Sequence, residues 1–75
     1  MIRSAIMRYW VAGVRGYKVG FKHRDVGVGE RIVFIDIGRI VALGRWALEL
    51  DDGSSIPYHR VVEIRDDKGV VVWRR

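Results

Sequence analysis

The sequence predicts an α+β fold: an N-terminal amphipathic helix packed on a small, strongly curled antiparallel sheet or partial barrel. Three observations predict it. Apolar residues follow a helical spacing near the N-terminus. From residue 17 onward they alternate with a period of two. Turn signals rich in Gly and Asp then recur at short intervals, as they do between the strands of small β-folds. No repeat or linker interrupts the chain. Residues 1–75 are therefore expected to form one domain, with the helix within 1–14 and mainly antiparallel strands over 17–75.

The helix rests on Ile2, Ala5, Ile6, Tyr9 and Trp10, which share one face, with Arg3 and Arg8 off that stripe. Gly13 and Gly16 end it. Such a basic helix could lie on a membrane, but covering one side of a sheet is the ordinary use. In the first strand, Tyr17, Val19, Phe21 and His23 share one face, and Lys18, Gly20, Lys22 and Arg24 share the other. Residues 25–30, with Gly27 and Gly29, read as a loop. Residues 31–43 are rich in β-branched side chains but broken by Asp36, Gly38 and Arg39. They read as two short strands or one strand bulged at Gly38. Trp46, Leu48 and Leu50 alternate with Ala47 and Glu49, and Asp51-Asp52-Gly53 is a hairpin signal that returns the chain over 54–58. Residues 61–65 are expected to pair with 70–73 across the turn at 66–69.

Composition narrows the function. The chain has no Cys, which excludes disulfides and cysteine zinc sites. It also has no Asn, Gln or Thr, and its arginines outnumber its lysines, a pattern found in heat-adapted proteins. The net charge of +5 attracts nucleic acid or an anionic surface at long range. No apolar stretch approaches the ~20 residues of a membrane-spanning helix, and Arg8 interrupts the N-terminal segment that otherwise has the look of a signal peptide. A soluble, cytoplasmic nucleic-acid-binding protein is expected, with no membrane partner. Oligomeric state stays open, because edge strands can pair between chains.

Few groups could carry chemistry. Both histidines stand directly before an arginine: His23-Arg24, after Lys22, and His59-Arg60, after Pro57-Tyr58. Arginine presents a planar fork of donors that matches phosphate oxygens, and histidine adds a ring N–H. Two such pairs brought together would surround a terminal phosphate. Regular strands oppose this, since neighbours on a strand point to opposite faces. Arg60 would then share a face with Val62 and Ile64. Pro57 offers a way out of the ladder. In the competing structural reading, His23 bonds a backbone carbonyl and Arg24 and Arg60 pair with Asp25, Asp36 or Glu63.

Over nearly the whole chain, and most closely from Lys18 onward, the sequence resembles a small archaeal family, the RNA cyclic group end recognition domain. The resemblance rests on Trp10 in the helix, His23-Arg24 ending a strand, and Leu43-Gly44-Arg45. It also rests on Ile56-Pro57-Tyr58-His59-Arg60-Val61 and a closing Val- and Trp-rich strand over 69–74. Val61 stands where the family pattern has Ile, and residues 31–37 are more apolar than that pattern, so the loop after Arg24 is a point of departure. The resemblance implies recognition of RNA ends bearing a 2′,3′-cyclic phosphate, with His23, Arg24, His59 and Arg60 lining the site.

Three functions follow. The first is a binding module. Lys18, Lys22, Arg39 and Arg45 would follow the strand, and Tyr58, Trp46 or Trp73 would stack on a base. Tyr58 is the preferred stacker because it abuts His59, and the tryptophans are expected in the core. The second is a phosphodiesterase using both histidines as acid and base. The third is a ribosome- or chromatin-associated structural protein. No cofactor, metal or catalytic residue is expected.

Overall fold

In the computed structural model, which describes residues 2–25, 27 and 29–75 (backbone only at Asp25), the chain is α+β, with one N-terminal helix and antiparallel sheets. Helix α1 spans Ile2–Val11. Ile6 is fully buried, and Ile2, Ala5, Tyr9 and Trp10 pack against the core beside it. The apolar stripe is thus engaged by the protein itself. The indole of Trp10 also donates to the Ile40 carbonyl at 2.9 Å. Gly13 follows in the left-handed region (φ 68°), where a side chain would be strained. Among the described residues no helix is long and apolar enough to cross a membrane.

The strands fall into two sheets. β1 (Lys18–Asp25) pairs with β2 (Gly29–Asp36) along its whole length. On its other side β1 meets β6 (Val61–Arg65), but only from Lys18 to Phe21, with a register shift after Gly20. β7 (Val71–Arg74) completes the order β2-β1-β6-β7. The second sheet has the order β3-β4-β5, with β3 at Ile40–Leu43, β4 at Ala47–Leu50 and β5 at Ser55–Pro57. The core lies between these sheets and the helix. Val19, Ile35, Val61 and Ile64 come from the larger sheet, and Ile40, Leu48, Leu50 and Ile56 from the smaller.

The single curled sheet or partial barrel expected from the sequence does not form. Each passage between the sheets is a single 3₁₀ turn, Ile37–Arg39 in one direction and Tyr58–Arg60 in the other. Three residues in 3₁₀ geometry break the extended backbone, so ladder pairing does not continue from one sheet into the other. The first turn falls at the Gly38 break, where Asp36 caps it by accepting from the Gly38 N–H at 2.8 Å. The expected loop over 25–30 is also shorter. β1 runs to Asp25 and β2 starts at Gly29; Val26 and Val28 lie outside the described residues.

Candidate anion-binding site

The second 3₁₀ turn settles how His59 and Arg60 are presented. Pro57 (φ −60°) ends β5, an edge strand that tolerates its missing N–H. The chain then makes one turn, closed by the Val61 N–H on the Tyr58 carbonyl. With three residues per turn, successive side chains are about 120° apart rather than opposed. Tyr58 goes inward and is only 8% exposed, while His59 and Arg60 both reach solvent. Arg60 therefore escapes the apolar face that a strand would have given it.

This turn is held on two sides. The Tyr58 hydroxyl donates to the Gly44 carbonyl at 2.7 Å, and its N–H donates to the Trp46 carbonyl at 3.1 Å. From the other side the Arg75 guanidinium donates to the carbonyls of Tyr58 (2.9 Å) and Val61 (3.1 Å).

Pairing between β1 and β6 stops at Phe21 and Val61, so the turn lies alongside the outer half of β1. There Lys22, Arg24, His59, Arg60 and Glu30 line one open pocket of about 370 Å³. Glu30 is opposite Arg24 in the β1–β2 register, which puts both on one face. Three fixed cations and an imidazole thus face one carboxylate. Among the described residues, none of the four basic groups takes part in an ion pair. Other cations are engaged. Lys18 bonds Asp36 at 3.1 Å, Arg39 bonds Asp51 and Asp52 at 3.1 Å each, and Arg65 bonds Glu63 at 2.7 Å.

Three of the engaged groups are shifted by their partners. The Gly38 N–H, and then Lys18, hold the Asp36 carboxyl below the usual range. Asp51, and then Asp52, raise the Arg39 guanidinium, while the Ser54 hydroxyl and N–H lower Asp52.

Four expectations need correction. His23 faces the opposite side of the sheet from Arg24, as the period of two dictates. It stands edge-on to Phe21 (centroids 6.5 Å apart), is opposite Arg31 in register, and lines a separate cavity of about 390 Å³. The two dipeptides therefore bring three of their four side chains together, not all four. Lys18 lies beyond Gly20, at the far end of the same face, bonded to Asp36 and outside the pocket. Tyr58 is a core residue, which removes the ring face that stacking needs. Trp46, expected in the core, is 76% exposed; Trp73 is partly buried against the core.

The two histidines line different cavities, so the acid–base pair of a two-histidine phosphodiesterase is not assembled. Among the described residues no cluster of His, Asp and Glu could hold a metal ion. Two contributors went unnoticed in the sequence, Glu30 and Arg75, whereas Trp46 was named there as a candidate stacker but expected in the core. Glu30 was discoverable only through strand register. Arg75 carried no signal, because its partners are backbone carbonyls. The Arg45-Trp46 pair between two apolar runs marked a hairpin tip, where an aromatic is free to face solvent.

Fold and pocket together define a small α+β module with a cationic surface pocket built where a 3₁₀ turn meets a strand. The chain belongs to the MJ1316 RNA cyclic group end recognition domain family, whose model matches residues 9–75. It is similar to a UPF0248 protein of Aeropyrum pernix, with 37% identity over 70 residues, covering 93% of this chain and 70% of that protein. No solved structure matches it.

Proposed function

We propose that this chain binds RNA ends that carry a terminal phosphate, the 2′,3′-cyclic form included. In this reading Arg60 and His59 are the anchors, and Arg24 and Lys22 complete the site. The observation that carries it is the meeting of Arg24 with His59 and Arg60 in a pocket where no ion pair neutralises them. The family description, RNA cyclic group end recognition, supports the same reading.

The chemistry fits such an end. Guanidinium forks match phosphate oxygens, and charge-assisted bonds to them are about twice as strong as neutral ones. Lys22, Arg24 and Arg60 outnumber the single Glu30 carboxylate, so the pocket keeps a surplus of positive charge for either a monoanionic cyclic ester or a dianionic open phosphate. The Glu30 carboxylate also suits a ribose 2′-hydroxyl, that of the terminal nucleotide in an open 3′-phosphate or of the preceding nucleotide in the cyclic ester, whose terminal 2′-oxygen is esterified. The whole of residues 1–75 acts as one binding unit.

The test compares one RNA bearing 3′-hydroxyl, 3′-phosphate or 2′,3′-cyclic phosphate ends at a fixed salt concentration. Phosphate-bearing ends should bind about tenfold or more tightly than the hydroxyl, the worth of one charge-assisted hydrogen bond. Equal affinities for the three ends would overturn the proposal.

A further inference from the structure

The phosphate pocket has a neighbour. On the other side of His59, a groove of about 440 Å³ is lined by Ile2, Arg3, Arg45, Trp46, His59 and Arg75, over the buried Tyr58. We propose that this groove is a stacking platform for an unpaired nucleobase, with Trp46 as its main surface. The RNA class bound is then a single-stranded end rather than a blunt duplex. This rests on the reading of the adjoining pocket given above.

Trp46 is a large apolar side chain that is 76% exposed in a small protein, a placement that burial does not favour. It is also held firmly. Arg45 and Trp46 form the tip of the β3–β4 hairpin, closed by the Gly44 N–H on the Ala47 carbonyl at 2.9 Å. A Cβ on Gly44 would come within 2.9 Å of that same oxygen, so only glycine fits there. The Gly44 carbonyl accepts from the Tyr58 hydroxyl and from Arg3 Nε at 3.2 Å. Tyr58 therefore ties the hairpin tip to the turn that carries His59. The indole and the imidazole are set on one frame, and stacking needs no reorganisation of the backbone.

Charge identifies the occupant. Three arginines and no carboxylate line the groove among the described residues. The Arg45 guanidinium lies 5.1 Å from the Trp46 ring centroid, and it is the arginine of the three with no hydrogen bond to a backbone carbonyl. Indole and guanidinium planes both stack on bases, and the surplus charge suits the flanking phosphodiester. His59 is the shared wall, so a strand whose terminal phosphate sits by Arg60 has its adjoining base at this groove.

The test uses two RNAs with the same phosphate-bearing terminus, one single-stranded and one ending in a blunt duplex, against the full chain, Trp46→Ala and Trp46→Phe. Because Trp46 is exposed, both variants should fold. Trp46→Ala should weaken the single-stranded RNA about ten- to hundredfold, a stacked base's usual contribution. It should leave the blunt duplex unaffected, and Trp46→Phe should retain most of the affinity. Quenching of indole fluorescence by the single strand should vanish in Trp46→Phe, although Trp10 and Trp73 remain. The ratio between phosphate and hydroxyl ends should be unchanged in both variants. Wild-type affinity for the single strand in Trp46→Ala would overturn the platform, as would a Trp46 dependence seen with an acidic peptide and not with RNA. Failure of the neighbouring phosphate pocket would read differently: the end-group ratio would be flat in the wild type while the Trp46 effect on the strand persisted.

Discussion

The two His-Arg dipeptides have the same composition and opposite geometry. His23-Arg24 lies on a strand, so its side chains leave on opposite faces, one toward the cavity with Phe21 and Arg31, the other toward Lys22 and Glu30. His59-Arg60 lies on a single 3₁₀ turn, so both side chains reach one side. Adjacent residues act as a pair only where the backbone rotates by about 120° per residue, not about 180°. A motif repeated in sequence thus supplies two groups to the site in one copy and one group in the other.

The largest effects should come from the arginines that the comparison unites. Arg60→Ala and Arg24→Ala should each weaken binding of a phosphate-ended RNA by tenfold or more, the loss of about 1.5–3 kcal/mol of charge-assisted contact. Each should also reduce the dependence of log affinity on log salt by about 0.7, one single-strand phosphate contact. The combined variant should lose less than the sum, because both groups face one anion. A salt titration of the three variants checks this. A silent Arg24→Ala would break the link between the dipeptides and leave the turn as the whole site.

The histidines should part more gently. His59→Ala should weaken the same RNA by roughly 1 kcal/mol, the worth of one hydrogen bond. His23→Ala should leave RNA affinity unchanged and act on stability alone, followed by denaturant unfolding. The reverse order would move the ligand to the other face of the sheet.

The smallest effect lies at the neutralised end of the β1 outer face. Asp36→Asn should cost under about 1 kcal/mol, since its partners are exposed and an Asn can still cap the turn. The Asp36 carboxyl titrates below its ordinary range in the folded protein, held there first by the Gly38 N–H and then by Lys18. Its stabilising share is therefore complete above the ordinary aspartate range and lost as pH falls through the lowered value. Urea unfolding should show the gap between wild type and variant closing below about pH 4.

What the sequence made legible depended on how local the cause was. The helix stripe from Ile2 to Trp10 and the alternation from Tyr17 to Arg24 are properties of spacing alone, and both appear in the structure. The break at Gly38 and the hairpins at Gly53 and Gly69 announce themselves through glycine at positive φ or a close turn. At the turn Tyr58–Arg60, Pro57 signalled a departure from the ladder, but nothing local signalled that the turn would divide one curled sheet into two open ones. The exchange of roles between Tyr58 and Trp46 has the same origin. Both are aromatic, and tertiary placement separates them: the Tyr58 hydroxyl is bonded to the Gly44 carbonyl in the core, while Trp46 stands at the exposed hairpin tip. Glu30 joined the pocket through the register of the β1–β2 hairpin, which a reading of residues 25–30 as loop does not contain.

The cation cluster has a consequence for the fold itself. Lys22, Arg24 and Arg60 repel one another in a pocket that holds a single carboxylate, and that repulsion opposes folding. Dissolved ions screen it, so moderate salt should firm the free protein while loosening its hold on RNA. Folding and binding then respond to ionic strength with opposite sign, and an anion seated in the pocket serves the fold as its missing counter-ion.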